Sequence, residues 1–342
     1  SLSHTTPEPT ILHKILHEIG SGGVTHASME ASSHGLEQRR LDGVYLTAAA
    51  FTNITHDHLD YHETFEAYFN SKLGLFERVL SPEGSVVINM DDPKGTHIYK
   101  ISKLRGQDII TVGRNNCDLT LKKCNFDSTG QQVLFSWKGE MRSIRLDLIG
   151  YFQAMNVLQA AALVIACGEQ PNIVFETLSE LRTVSGRMQL AAKRLNGASV
   201  FVDYAHTPDA VKTALKAMRP HVMGRLLIII GAGGDRDKVK RELIGKAAKK
   251  YADVVFVTDD NPRSEDPSLI RKSILLGCPD ALEIGDRATA ILTGVDALNP
   301  GDALLIAGKG HETGQIIGDD ILAFNDVEQA SISVSTLDEL LT

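Results

Sequence analysis

Leu226-Leu227-Ile228-Ile229-Ile230-Gly231-Ala232-Gly233-Gly234-Asp235-Arg236-Asp237 decides how the second half of this chain is read. An unbroken apolar run closed by a glycine-rich, charged loop describes a strand buried on both faces, and such strands belong to parallel sheets. The same grammar recurs at Ser199 to Val202, Val254 to Val257 and Ala303 to Ile306. Their loops read Asp203-Tyr204-Ala205-His206-Thr207-Pro208, Asp259-Asp260-Asn261-Pro262-Arg263 and Gly308-Lys309-Gly310-His311-Glu312. In an open α/β sheet, ligands bind outside the carboxyl ends of the strands, so these loops are expected to share one rim, the candidate binding surface. Each loop also has an ordinary reading. Gly231 to Gly234 can serve only a tight turn, Asn261-Pro262 is a common turn starter, and Asp235 to Arg241 can be a solvated charge run. Charged loops at four equivalent strand ends weigh against all of these holding at once.

Working outward, helical and strand patterns alternate along the chain, which gives an α/β fold with mostly parallel sheets. One segment departs from this. Leu119 and Leu121, Val133 and Phe135, then Ile144, Leu146 and Leu148 follow a period of two, with turn-like breaks at Asp127 to Gly130 and Lys138 to Glu140. A small antiparallel meander is therefore expected from about Cys117 to Leu148. Tyr151 to Ala166 reads as a helix carrying Asn156, and a domain boundary is expected near Thr183 to Gly186, dividing the chain into 1–184 and 185–342. At the front, Ile11, Leu12, Ile15, Leu16 and Ile19 form an amphipathic helix so near Ser1 that the chain reads as entered in mid-domain.

The 342 residues are 43% hydrophobic and 23% charged, with a net charge of -8, a balance suited to two globular cores and unsuited to a nucleic-acid surface. Cys117, Cys124, Cys167 and Cys278 show no paired metal spacing and are expected as reduced thiols. No stretch has the length and apolarity of a membrane span and no secretory leader is read, so a cytoplasmic protein is expected.

The first half holds its own constellation, Met29-Glu30-Ala31-Ser32-Ser33-His34-Gly35-Leu36 with Gln38, Arg39 and Arg40, then Thr52-Asn53-Ile54-Thr55-His56-Asp57-His58-Leu59-Asp60-Tyr61-His62. Histidines and aspartates crowded between His56 and His62 raise the possibility of zinc, although the spacing matches no common zinc pattern. A glutamate with one histidine suits magnesium sharing its shell with substrate phosphates.

Taken in order, these segments resemble the Mur ligase family over nearly the whole chain. The likeness is carried by Glu30-Ala31-Ser32-Ser33-His34, Thr52-Asn53 with Asp57-His58-Leu59-Asp60, Tyr68 with Lys72 and Phe76, and Gly186-Arg187-Met188. It continues through Asp203 to Pro208, Gly233 to Asp237 and Asp260 to Arg263. The fold this implies is the family's central ATP-binding domain, incomplete and bearing the small meander, followed by a Rossmann-like C-terminal domain. The activity implied is that of the diaminopimelate-adding branch: ATP phosphorylates the D-glutamate carboxylate of UDP-N-acetylmuramoyl-L-alanyl-D-glutamate, and the amine of meso-diaminopimelate attacks the acyl phosphate.

The resemblance also distributes roles. It implies magnesium on Glu30 and His58, a carbamylated lysine at Lys72, and Thr5, Thr6, Ser32, Gln38 and Arg40 facing the nucleotide-linked substrate. It implies Asn156, Arg187 and Asp203 for ATP, held between the domains, and Arg236, Asp260, Asn261, Pro262, Arg263, Gly308 and Glu312 for diaminopimelate. Arg263 is the residue type that grips a carboxylate bidentately, while Asp260 and Glu312 can accept from an ammonium group. A cytoplasmic monomer in peptidoglycan precursor synthesis is implied, with neither nucleic-acid nor membrane partner.

Three departures qualify the likeness, one of them the unusual His4 before Thr5. Gln153 stands where relatives often have Asn, and no Gly-x-x-Gly-x-Gly-Lys-Thr loop occurs in the 342 residues. The expectation is therefore an N-terminally shortened ligase, inactive by itself because the phosphate cradle is missing. Alternatives are a binding module that keeps amino-acid and nucleotide contacts without chemistry, a zinc hydrolase built on His56, His58 and His62, and a dehydrogenase. The last is the weakest, because no acidic ribose-binding pattern follows the glycine loop.

Overall fold

The computed structural model describes residues 5–55, 59–127 and 130–340, with the side chains of Leu59 and Asp60 left aside. His56, Asp57 and His58 lie outside the described residues, and with them the expected histidine ligand. The chain divides into two compact units, one of residues 1–123, 133–144 and 154–179, the other of 124–132, 145–153 and 180–342.

The first sheet runs in the order β1 (Ala48–Phe51), β2 (Ser85–Asn89), β3 (Asp108–Gly113), β4 (Leu119–Asp127), β5 (Gly130–Trp137), β6 (Glu140–Leu146). β1 to β4 pair in parallel. β4, β5 and β6 are successive neighbours, and the connections between them are too short for a crossover, so they form an antiparallel meander. The expected meander is thus present, except that Leu148 falls beyond the end of β6. Leu80, Val86, Ile88, Phe69, Phe76 and Ile98 are almost wholly enclosed and make the core under β1 and β2. Thr64 caps the helix Phe65–Gly74 by accepting from the Ala67 amide at 3.1 Å, and this helix carries Lys72. It passes directly into a π-helical turn, Leu75–Val79.

The second sheet runs in the order β11 (Leu282–Glu283), β10 (Val254–Val257), β9 (Leu226–Ile230), β12 (Ala303–Ala307), β8 (Ser199–Asp203), β7 (Gln189–Lys193). All pairs are parallel except β7 with β8. Every residue of β9 and β12 is buried, as the unbroken apolar runs require, and helices cover both faces. From β9 the chain moves outward through β10 to β11, then returns to place β12 on the other side of β9. That reversal is a topological switch point, where loops part and leave a crevice. A two-stranded hairpin follows, β13 (Gly314–Ile317) with β14 (Asp320–Ala323), and the helix Asp326–Glu339 closes the chain. Among the described residues, no helix is long and apolar enough to cross a membrane.

Candidate functional site

The loops after β9, β10 and β12 meet at the switch point in the second unit. Gly234 donates its amide to Asn261 O at 2.9 Å, and a Cβ at Gly234 would stand 1.8 Å from Pro262 O. Gly234 is therefore required by close packing on the Asn261-Pro262-Arg263 loop. Arg263 adopts φ of 52°, is locked to the hairpin by its amide on Ile316 O (3.0 Å) and by Gly318 N on its own carbonyl (2.8 Å), and sends a guanidinium nitrogen to Gly234 O at 2.8 Å. Asp235, with φ of 55°, accepts from the Ser264 amide and hydroxyl at 3.2 and 2.7 Å. Two left-handed non-glycine residues facing each other across two loops are held by this stitching, since each conformation costs energy alone.

Beneath the loops lies a charged floor. Asn261 is 4% exposed and gives its amide nitrogen to Glu312 Oε2 at 2.8 Å. Asp260 is buried beside it, its backbone carbonyl accepting from Gln315 Nε2 at 2.7 Å. Burial pushes the Asp260 carboxyl above its ordinary range, while Arg287 and Lys309 pull it back. Arg287 and Asp326 have no exposed side-chain surface and form a two-pronged ion pair at 2.7 Å, with Arg287 also donating to Ala307 O at 3.1 Å. Gly308 has φ of 116°, and a Cβ there would meet Asp260 Oδ2 at 2.6 Å, so backbone and carboxylate approach in a way only glycine permits.

Of the amino-acid set expected from sequence, Asp260, Asn261, Pro262, Arg263, Gly308 and Glu312 come together here. Arg236 is exposed on the neighbouring loop, its Cγ 3.8 Å from where a Cβ on Gly233 would stand. Sequence reasoning passed over Lys309, Arg287, Asp326 and the hairpin. For the hairpin a signal existed, since Ile317 and Asp320 flank the two-residue turn Gly318-Asp319.

At the end of β8, Asp203 is 8% exposed and accepts from Met188 N at 2.7 Å and Ala205 N at 2.8 Å, which leaves each oxygen one further lone pair. Burial pushes the pKa of this carboxyl above its ordinary value, opposed by those two amides. Arg187 is exposed and lies 4.9 Å over the Tyr204 ring. Thr207 accepts from Ala210 N at 3.3 Å and Pro208 opens the helix, so the last two residues of that loop cap Pro208–Met218.

In the first unit, Thr6, Ser32, Gln38 and Arg40 also converge. Thr6 is fully buried, with its hydroxyl donating to Glu30 O and accepting from Ser32 N, both at 2.9 Å. Arg40 is 6% exposed and donates to Thr6 O at 2.8 Å and to Gln38 Oε1, whose amide nitrogen reaches Tyr61 Oη at 3.0 Å. The hydrogen bonds of Thr6 shape the turn that presents Glu30 and Ser32. Thr5, Glu30 and Asn156 are exposed. Lys72 is half-buried and donates from Nζ to Ala31 O at 3.0 Å, so it is not a solvated helix lysine. His62, expected as a histidine of the zinc alternative, lies 3.2 Å from Glu37 and against the Tyr61 ring. Among the described residues no group of three or more potential ligands could hold a metal ion, and His56 and His58 of the zinc alternative lie outside those residues.

With this geometry in place, the comparisons with known proteins fall on both units. The Mur ligase middle domain profile matches residues 1–164, and the profile of the Mur ligase, glutamate ligase domain matches residues 186–310. The chain belongs to the Mur ligase family. It is 48% identical over 325 residues to the UDP-N-acetylmuramoyl-L-alanyl-D-glutamate--2,6-diaminopimelate ligase of Chelativorans sp. (strain BNC1), covering 95% of this chain and 67% of that protein. The protein of the same name from Agrobacterium fabrum is 45% identical, covering 98% and 68%. The chain thus spans about two thirds of the length of these relatives. A solved structure with that title superposes with a TM-score of 0.67 at 34% identity over 98% of this chain and 69% of its own. MurF ligase of Thermotoga maritima, at 18% identity over 87% of this chain and 64% of its own, has a TM-score of 0.65 and shares the fold.

Proposed function

We propose that this chain carries the acceptor and metal residues of an ATP-dependent ligase that joins meso-diaminopimelate to UDP-N-acetylmuramoyl-L-alanyl-D-glutamate in cytoplasmic peptidoglycan precursor synthesis. The observation that carries the reading is the rim of the second unit, where Arg263, Asn261, Asp260 and Glu312 converge on glycine-lined backbone. A guanidinium beside carboxylates fits an amino acid with charged groups at both ends. Arg263 would take the distal carboxylate, and Glu312 with Asp260 would take an ammonium group. The names of relatives that are 45–48% identical support the same substrate.

The reaction brings the D-glutamyl carboxylate to the γ-phosphorus of ATP, breaks the bond to ADP, and releases phosphate when the diaminopimelate amine attacks the acyl carbon. Each step crowds anions, so oriented cations and donors must absorb the developing charge. Glu30, an exposed carboxylate, would hold magnesium together with His58. A carboxylate with one histidine suits that ion, which would neutralise phosphate and carboxylate charge. A free ammonium on Lys72 would oppose a cation at Glu30, because Lys72 Nζ is anchored on the carbonyl of the very next residue. A carbamate at Lys72 inverts that sign. Arg187 (over Tyr204), Asp203 and Asn156 would serve the nucleotide. Thr5, Ser32, Gln38 and Arg40 would shape or contact the nucleotide-linked substrate, and Arg236 would approach diaminopimelate from its loop tip.

The test is ADP release coupled to product formation in the gene product that carries this sequence, with meso-diaminopimelate and L-lysine supplied in turn. The proposal expects turnover with diaminopimelate and at least about 100-fold lower efficiency with lysine, the discrimination expected when a buried polar partner is left unpaired. Equal efficiencies would overturn it.

A further inference from the structure

Lys309 has no exposed surface, an unusual place for an ammonium group. Its Nζ donates to Asn261 Oδ1 at 3.0 Å and to Glu312 Oε2 at 3.0 Å. Asn261 completes a triangle by giving its own nitrogen to that same Glu312 oxygen at 2.8 Å. The amide is fixed from a third side, since Ile316 N donates to Asn261 Oδ1 at 3.0 Å. An amide whose oxygen faces two donors cannot flip without leaving both unpaired. A carboxylate with two donors on Oε2 has its plane set as well. Glu312 keeps 33% of its side-chain surface exposed, so Oε1 is the oxygen turned to a ligand.

We infer that Lys309 is a positioning residue for the amino-acid subsite: buried under the rim, it sets Asn261 and Glu312 so that Glu312 Oε1 receives the ammonium of the incoming amino acid. The inference rests on the amino-acid reading of this rim. It assigns Lys309 no contact with substrate. A competing role is conceivable on charge alone, because Lys309 and Arg287 face three acids, Asp260, Glu312 and Asp326. If Lys309 only offset negative charge, its removal would strengthen the pull on an ammonium group. If it positions, removal frees Glu312 to turn away and weakens binding. The two roles predict opposite signs.

The experiment is steady-state kinetics of Lys309→Met in the gene product that carries this sequence. Met keeps the stem's volume and removes the donors. Positioning expects the KM for the amino acid to rise about tenfold or more, while kcat and the KM for ATP stay within about twofold, since the lost contacts belong to one subsite. In a Glu312→Ala background the same substitution should add no more than about threefold, because residues acting through one another are not additive. A fall in the amino-acid KM, an equal rise in the ATP KM, or an undiminished effect in the Glu312→Ala background would each overturn the inference. Should Lys309→Met fail to fold, Lys309→Arg keeps a cation on a longer arm and should raise the amino-acid KM alone; no change would overturn the inference. Arg263→Ala, run in parallel, separates the two levels. If it raises the amino-acid KM and Lys309→Met does not, only the positioning role fails; if neither does, the amino-acid reading of the rim fails.

Discussion

The two candidate regions of this molecule are built on opposite principles. In the second unit the rim stands on buried charge: Asp260, Lys309, Arg287 and Asp326 are all enclosed, and each charged group finds an opposite charge or a polar partner. In the first unit the loop from Gly22 to Glu30 is exposed throughout, and it is held at its end by side-chain hydrogen bonds to backbone, from Thr6 to Glu30 O and from Lys72 to Ala31 O. The difference teaches where precision is stored. A rim on interlocked ions is set before any ligand arrives, whereas a loop on a few backbone anchors places its carboxylate only approximately.

The comparison breaks most directly at Arg287. Arg287→Met leaves Asp326 buried without its cation, and the expected loss of unfolding free energy is about 3–5 kcal/mol, read by urea denaturation. Lys14→Met in the first unit removes an exposed pair with Glu18 and should cost under about 0.5 kcal/mol. A loss at Arg287 below about 1 kcal/mol would show that the rim is not electrostatically locked.

Arg263→Ala comes next. Removing a guanidinium from a carboxylate partner should cost diaminopimelate about 2–5 kcal/mol of apparent binding, and lysine, which lacks that carboxylate, far less. The ratio of kcat/KM for the two amino acids should therefore collapse. An unchanged ratio would return Arg263 to a loop staple, a role its bond to Gly234 O could fill by itself.

Lys72→Ala carries the comparison to the first unit, with an expected fall of about 10–100-fold in kcat, the usual cost of losing support around a metal shell. A purely structural clip on Ala31 O would lower the melting temperature and leave the magnesium dependence unmoved. Metal support would shift the magnesium dependence, and high bicarbonate would restore part of the rate. The unsubstituted protein, given 13C-bicarbonate, should also show a carbamate carbon signal by NMR that Lys72→Ala lacks.

How much of this was legible in the sequence follows from the physics of each element. β8, β9, β10 and β12 were readable because burial on both faces writes itself as an unbroken apolar run, and the meander because one-sided burial writes itself as alternation. β7 was not, since Gln189–Lys193 is half-exposed and pairs antiparallel at an edge, where neither pattern is enforced. At the site, loop motifs named Asn261, Arg263 and Glu312. They could not name Arg287 or Asp326, whose 39-residue separation hides a pair that only the fold closes. Thr6 shows the converse: the residue is at the site, but its burial gives the hydroxyl to Glu30 and Ser32, which no linear motif reveals.

The smallest expected effect lies beneath the loop tip at Glu265. Its carboxyl is held down to about 2, first by hydrogen bonds from the Arg241 guanidinium and then by the Asp235 amide at 2.6 Å. A carboxyl whose folded value lies below its ordinary 4.5 contributes stability that is complete above about pH 4.5 and disappears as pH falls toward about 2. Acidification through that window should therefore loosen the stitch between the Asp235 and Ser264 loops before it touches the Arg287–Asp326 floor. Hydrogen exchange at the Asp235 amide, corrected for its intrinsic rate, should accelerate in the window, accompanied by a fall in melting temperature on the order of a few °C. Glu265→Gln should remove that acid-dependent step and show fast Asp235 exchange already at neutral pH. Were Asp235 protection unchanged down to about pH 2, the order in the rim would come from backbone packing of Gly234 on Pro262, and its contrast with the first unit would narrow to the buried ions alone.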